Sequence, residues 1–143
     1  APDEIKAACN ILDACISHTY HQRMLEVRNL DTAQQIEKYI NDNIAWDLSI
    51  EHLCAHFSVS RAELYQIFHT SFNSSVADYI RSKRIAMAEQ MIRTTAMQIS
   101  EIAANVGFYD YNYFSKVFHR KFGCSPREYR KNLESSEEEA EKK

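Results

Sequence analysis

Histidine and cysteine are the first residues whose chemistry has to be weighed. His52 and His56 stand four apart, a spacing that brings two imidazoles to one face of a helix and within reach of one metal ion. Cys54 between them points elsewhere. His52 is followed by Leu53, so an HExxH arrangement with its glutamate base is absent. Cys15, His18 and His21 form a partial ligand set, short of the four ligands a structural zinc site uses. The four cysteines, Cys9, Cys15, Cys54 and Cys124, include no CxxC pair. Cys9 and Cys15 would lie about 120° apart around a helix, so the reading is reduced thiols in a cytoplasmic protein. No Ser-His-Asp order or Cys-His pair carries a supporting motif. The expectation is a protein that is not an enzyme and takes no cofactor and no metal. A second chemistry is hydrogen bonding by amides and cations such as Gln66, Asn112, Arg61 and Lys116, which act only if helices hold them away from the core.

Helices are what the composition provides. The chain has 143 residues, 45% of them apolar and 26% charged, with two glycines and two prolines. Tight β turns need more Gly and Pro than that, and a Rossmann or P-loop site needs clustered glycines. The fold class is therefore all-α. No apolar run is long enough to span a membrane and no secretory segment is evident, so no membrane partner is expected. The chain begins at Ala1, which suggests a fragment or a processed product. Net charge is −3, but it is unevenly spread: residues 1–59 carry −5, residues 60–132 carry +5 and residues 133–143 carry −3. A basic centre between acidic ends can still present a positive surface, because charges beyond ~8 Å are screened at physiological salt.

Ile5, Cys9, Leu12, Ile16, Tyr20, Met24 and Val27 recur in steps of three or four, so residues 3–28 read as one helix with an apolar stripe near heptad spacing. Asn29-Leu30-Asp31 reads as a break, after which Asp31 or Thr32 caps a helix burying Ile36, Ile40 and Ile44. Ser49 is a candidate N-cap for Ile50–Phe57, and Ser60-Arg61-Ala62-Glu63 is a capping box opening a helix to about Phe72. A long helix follows from Val76 to about Thr94, giving about eight helices in all. The acidic segment SSEEEAEKK, residues 135–143, reads as a disordered tail.

The chain then repeats itself. Leu53-Cys54 matches Ile102-Ala103 and Ser58-Val59 matches Gly107-Phe108, both 49 apart. At an offset of 50, Leu64 matches Phe114, Ile67-Phe68 matches Val117-Phe118, Phe72-Asn73 matches Phe122-Gly123, Ser75 matches Ser125 and Tyr79 matches Tyr129. Asn73 and Gly123 are the types that best tolerate the left-handed end of a helix. Ser125-Pro126 reads as N-cap and first helical residue. Gly107 suits a turn of positive φ. Ser58 at the equivalent point implies a strained or differently shaped first turn. Each copy is a short helix, a tight turn and a second helix, the helix-turn-helix pattern, at about residues 50–72 and 99–122, with recognition helices at 60–72 and 110–122.

The stretch ISEIAANVGFYDYNYFSKVFHRKFGCSPREYR resembles the signature of AraC/XylS-family transcription regulators, through its Ile-Ala pair, Gly-Phe turn, Tyr-Phe pair and terminal Gly-x-Ser-Pro-x-x-Tyr-Arg. LSIEHLCAHFSVSRAELYQIF and ADYIRSKRI resemble the family's other helix-turn-helix and its linker. The resemblance covers about residues 34–131. It implies a bacterial DNA-binding domain at 31–134 with a linker helix at 76–94, preceded by a linker or sensor-derived helix at 1–30. It also implies double-stranded DNA as partner, an upstream sensor domain, action as an activator and contact with RNA polymerase.

Opposite the buried stripe of the first reader (Leu64, Ile67, Phe68, Phe72) stand Arg61, Ala62, Tyr65, Gln66 and His69, matching the family's base- and phosphate-contacting positions. In the second, Tyr111, Asn112, Ser115, Lys116 and His119 face out, and Asp110 is the N-cap. A solvated helix face is the bland alternative for each. Arg81, Lys83 and Arg84 on the linker either touch the DNA backbone or pair with Glu89 or Asp78. Arg120, Lys121, Arg127 and Arg130 carry the same choice, Arg130 as a structural residue. Two further readings stay open: a helical protein-interaction module, with weak homodimerisation through residues 3–28, and a histidine/cysteine metal-binding protein.

Overall fold

A computed structural model of the chain describes the backbone of residues 2–142 and the side chains of residues 19–24 and 27–142. Seven helices and no strand are present among the described residues: α1 (Pro2–Asp42), α2 (Ile50–Phe57), α3 (Arg61–Phe72), α4 (Val76–Thr94), α5 (Ile99–Asn105), α6 (Tyr111–Phe122) and α7 (Pro126–Glu141). The polar ends of these helices are satisfied by the residues that the sequence singles out. Ser49 accepts from the His52 backbone N–H, and Ser60 with Glu63 and Ser125 with Glu128 form reciprocal capping boxes. Each such cap stabilises its helix by ~1 kcal/mol. Asn73 and Gly123 end α3 and α6 in the left-handed conformation, at φ 48° and 79°.

The expected break at Asn29-Leu30-Asp31 does not occur, which is why the described residues form seven helices and not eight. None of the three is Pro or Gly, so each costs only a few tenths of a kcal/mol inside a helix that has already nucleated. The would-be capping groups turn back into the helix. Thr32 Oγ1 donates to the Arg28 carbonyl at 2.8 Å, and Gln35 Nε2 donates to Asp31 Oδ2 at 3.3 Å. The acidic tail also differs from expectation, since α7 carries on through it to Glu141. The Ser125–Glu128 box and Pro126 nucleate that helix, and the Glu-rich sequence propagates it although every side chain from Glu134 to Lys142 is exposed. The stripe positions Ile5, Cys9, Leu12 and Ile16, together with Cys15 and His18, lie outside the described side chains.

Two apolar cores sit side by side. The first gathers Ala33, Ile36, Ile40 and Ile44 from α1 and its end, Leu53 from α2, Leu64, Ile67 and Phe68 from α3, and Val76 and Ile80 from α4. The second gathers Ile85, Ala88 and Ile92 from α4, Ile99, Ile102 and Ala103 from α5, and Phe114 and Phe118 from α6. Half-buried Met87 packs against both. The repeat thus reaches further back than the helix-turn-helix: Ala33, Ile36 and Ile40 do for the first unit what Ile85, Ala88 and Ile92 do for the second. Aromatic contacts repeat closely as well. Phe68 and Tyr79 meet edge to face at 5.4 Å and 82°, Phe118 and Tyr129 at 5.5 Å and 80°. The Tyr129 hydroxyl donates to Glu89 at 2.6 Å, which raises its pKa. Burial, and then the neighbouring Glu37 carboxylate, push Tyr79 up to about 12.

Candidate nucleic-acid interface

The two recognition helices are anchored by the same device, large apolar side chains on one face. Phe68, Phe114 and Phe118 are wholly buried, each worth ~1.5–3 kcal/mol. What remains outside is set by that anchoring. On α3, Arg61, Ala62, Gln66 and His69 are exposed, and Tyr65 is 47% exposed. Arg61 is ion-paired to Glu51 of α2. On α6, Asp110 accepts from the backbone N–H groups of Asn112 at 2.9 Å and Tyr113 at 3.4 Å, which starts the helix. Asn112, Lys116 and His119 are exposed and Ser115 is half-buried.

Tyr111 does not face out with them. It packs against the second core, its ring 6.3 Å from that of Phe114. The spacing explains this: Tyr111 precedes Phe114 by three and Phe118 by seven, which puts all three on one helical face. Tyr113, one step from Asn112, is exposed instead, and so is Tyr109 in the turn before it. The sequence reading missed both, although the phase of the buried phenylalanines already placed Tyr113 outside.

The charges of the two readers differ. Helix α3 pairs one arginine with an acid on α2 and carries Glu63, whereas α6 holds Lys116, Arg120 and Lys121 with no acidic residue. The linker cations are all engaged within the chain. Arg81 pairs with Asp78 at 2.6 Å and Lys83 with Glu37 at 3.4 Å. Arg84 donates from Nε to the Ile44 carbonyl at 2.9 Å and from Nη2 to the Trp46 carbonyl at 3.0 Å, and burial lowers its pKa. Arg130 donates to the carbonyls of Met97 at 2.6 Å and Thr95 at 3.2 Å, so it fastens the end of α4. Between the units an open cleft of about 650 Å³ is lined by Trp46, Arg81, Arg84, Tyr109 and Tyr113 among others.

The metal-like histidines have other partners. His52 Nε2 lies 2.7 Å from the Tyr39 hydroxyl, and His56 stacks on the Tyr39 ring at 4.1 Å. Among the described residues no group of three or more His, Cys, Asp or Glu side chains is placed to hold a metal ion. No described helix is long and apolar enough to cross a membrane.

The helix-turn-helix domain family matches residues 53–132. The HTH-type transcriptional activator RhaR of Cronobacter sakazakii is 33% identical over 100 residues, covering 70% of this chain and 35% of the relative. The regulatory protein SoxS of Escherichia coli strain K12 is 34% identical over 104 residues, covering 68% of this chain and 97% of the relative. The chain spans 35–42% of the length of the first curated relatives it matches. In structure, it superposes on the DNA-binding domain of AdpA, a global transcriptional factor solved in complex with a target DNA, with a TM-score of 0.69. That match covers 73% of this chain and 94% of the other at 20% identity, a likeness of fold alone.

Proposed function

Because the chain belongs to the AraC/XylS family of helix-turn-helix transcription regulators, we propose that it is the DNA-reading part of a sequence-specific transcription regulator. Helices α3 and α6 enter successive major-groove segments on one face of the duplex. The observation that carries this is the pairing of two recognition helices on near-identical aromatic scaffolds at either end of α4. That helix has 19 residues and is ~29 Å long, close to one repeat of the double helix at ~34 Å.

The contacts follow from exposure and chemistry. Gln66 and Asn112 present amides to adenine, and Lys116 presents its ammonium to guanine or phosphate. Ala62 offers a methyl contact to thymine. Tyr65, Ser115, His119 and His69 flank these on the same faces. Arg61 reaches DNA by exchanging Glu51 for a phosphate, and Arg81 by leaving Asp78. Tyr113 joins the α6 set, and Tyr111 supports it from within. The acid-free α6 supplies more of the phosphate attraction, α3 more of the neutral readout.

Residues 31–134 form the DNA-binding domain in this reading. The exposed Tyr20, Met24, Val27 and Leu30 on α1 support its packing on an upstream sensor domain, with weak pairing of two copies when that domain is missing. Activation of transcription through RNA polymerase, in the cytoplasm of a bacterium, completes the proposal. Selection from random-sequence duplexes tests it. The expected product is an asymmetric site of two short boxes about one turn apart, bound less tightly as salt rises. A palindrome would mean that two copies bind together, and no enrichment of any sequence would remove the DNA-reading role.

A further inference from the structure

Arg84 does more than fill a place on the linker helix. Its two bonds go to carbonyls just past the end of α1, 40 and 38 residues away in sequence, so it ties α4 to the first unit. The bond from Nε to the Ile44 carbonyl lies against the second unit. A Cβ built on Gly107, in the turn between α5 and α6, would stand 2.9 Å from Arg84 Nε and 2.9 Å from the Ile44 carbonyl oxygen. Three pieces of chain therefore converge on one guanidinium: the α1–α2 loop, α4 and the turn that launches α6. The two apolar cores, by contrast, share half-buried Met87. Arg130 marks the contrast. It fastens the end of α4 in a similar way, but within the second unit alone.

We propose that Arg84, seated against Gly107, is a positioning residue that fixes the distance and phase between α3 and α6, and so decides which spacing of two boxes on DNA is accepted. This rests on the DNA-reading role proposed above. The physical reason lies in the planar fork of the side chain. A guanidinium bonded by two donors to two backbone carbonyls holds a direction as well as a distance. A bare glycine lets the α5–α6 turn close onto it without a side chain between. One base pair inserted between boxes shifts the second by ~3.4 Å and turns it by ~34°. A joint this tight cannot follow that change at no cost, whereas a loosened one can.

The test uses the full chain, the duplex site enriched from a random library, and a series of duplexes with one or two base pairs inserted or deleted between the boxes. Arg84→Met keeps the apolar stem and loses the donors. Arg84→Lys keeps the charge and loses the fork. Wild type is expected to lose ~tenfold or more in affinity at each altered spacing. Both variants are expected to flatten that profile to within about threefold, with weaker binding at the original spacing. Lys116→Met is expected to weaken every spacing alike. If Arg84→Lys keeps the wild-type profile, the charge acts on its own and the joint is not the cause. If Arg84→Met flattens nothing while remaining folded, the proposal fails. A second measurement needs no DNA. Spin labels at Ser71→Cys and Lys121→Cys, in a chain whose four native cysteines are replaced, should give one narrow distance distribution that broadens with Arg84→Met or Arg84→Lys. Should wild type bind no duplex, the DNA-reading role falls, and the joint stands or falls on whether that distribution broadens.

Discussion

Exchanging the turn residues of the two units should move stability in opposite directions. Ser58 and Gly107 are equivalent in the repeat, and both have positive φ, 53° and 95°. Ser58 ends α2 in the left-handed region, its side chain is exposed, and an L residue there costs ~1–2 kcal/mol. Ser58→Gly removes that strain but adds ~0.5–1 kcal/mol of chain entropy to the unfolded state. The net expectation is a gain of about 0.5–1 kcal/mol. Gly107→Ser works against the fold twice. Its backbone conformation is one that side chains rarely adopt, at ~1–3 kcal/mol. Its Cβ would also meet Arg84 Nε and the Ile44 carbonyl, each at 2.9 Å. The carbonyl is backbone and cannot swing aside, so Arg84 must give up a charge-assisted bond worth ~1.5–3 kcal/mol. Less the ~0.5–1 kcal/mol of unfolded-chain entropy that a serine removes, a loss of about 2–5 kcal/mol follows. Urea denaturation of both variants measures this, with unchanged slopes showing that the unfolded state is comparable. Two losses of similar size, or a loss at Ser58 alone, would refute the strain argument.

Asn112→Ala and Gln66→Ala should each weaken binding to the selected site by about 1–3 kcal/mol and relax preference at one base position. If both keep wild-type affinity and specificity, the register assigned to α3 and α6 is wrong. Tyr79 keeps its proton to about 12 in the folded chain, against 10.0 for the free group. Its contribution to stability is therefore full below pH 10.0 and is lost as pH rises through 12. The denaturation midpoint should fall less between those two pH values in Tyr79→Phe than in wild type, and equal falls would exclude the linkage. Sedimentation of this chain beside one starting at Asp31 should show concentration-dependent pairing for the longer chain alone. Two monomers at high concentration would end the dimer reading.

The parts of the fold that were legible in the sequence are those whose cause is local. A Ser three residues before a Glu, Asn or Gly at a helix end, and phenylalanines at steps of four each act within one or two turns, and they recur a fixed distance apart. Where residues serve two purposes, the reading failed. Asp31 and Thr32 are good caps, but they also bond within a helix, and only the packing of Ala33 and Ile36 against the first core decides which. Tyr111 was misplaced because aromatic and polar residues alternate at the start of α6, and only the phase of Phe114 and Phe118 sets which tyrosine points inward. Arg84 was unreadable for a different reason. Its partners are backbone carbonyls some 40 residues away, and a carbonyl has no letter in the sequence.

The division into two cores also governs how the molecule comes apart. Each core draws its residues from one run of the chain, residues 33–80 in the first and 85–118 in the second. Each is thus a candidate cooperative unit, able to open while its neighbour stays closed. Amide exchange should then sort into two groups of protection along the chain, divided within α4. A duplex gripped by both readers alters this, because a ligand that binds the closed form of each half penalises the opening of either. The nucleic acid then acts as a splint, and two modest folds melt as one.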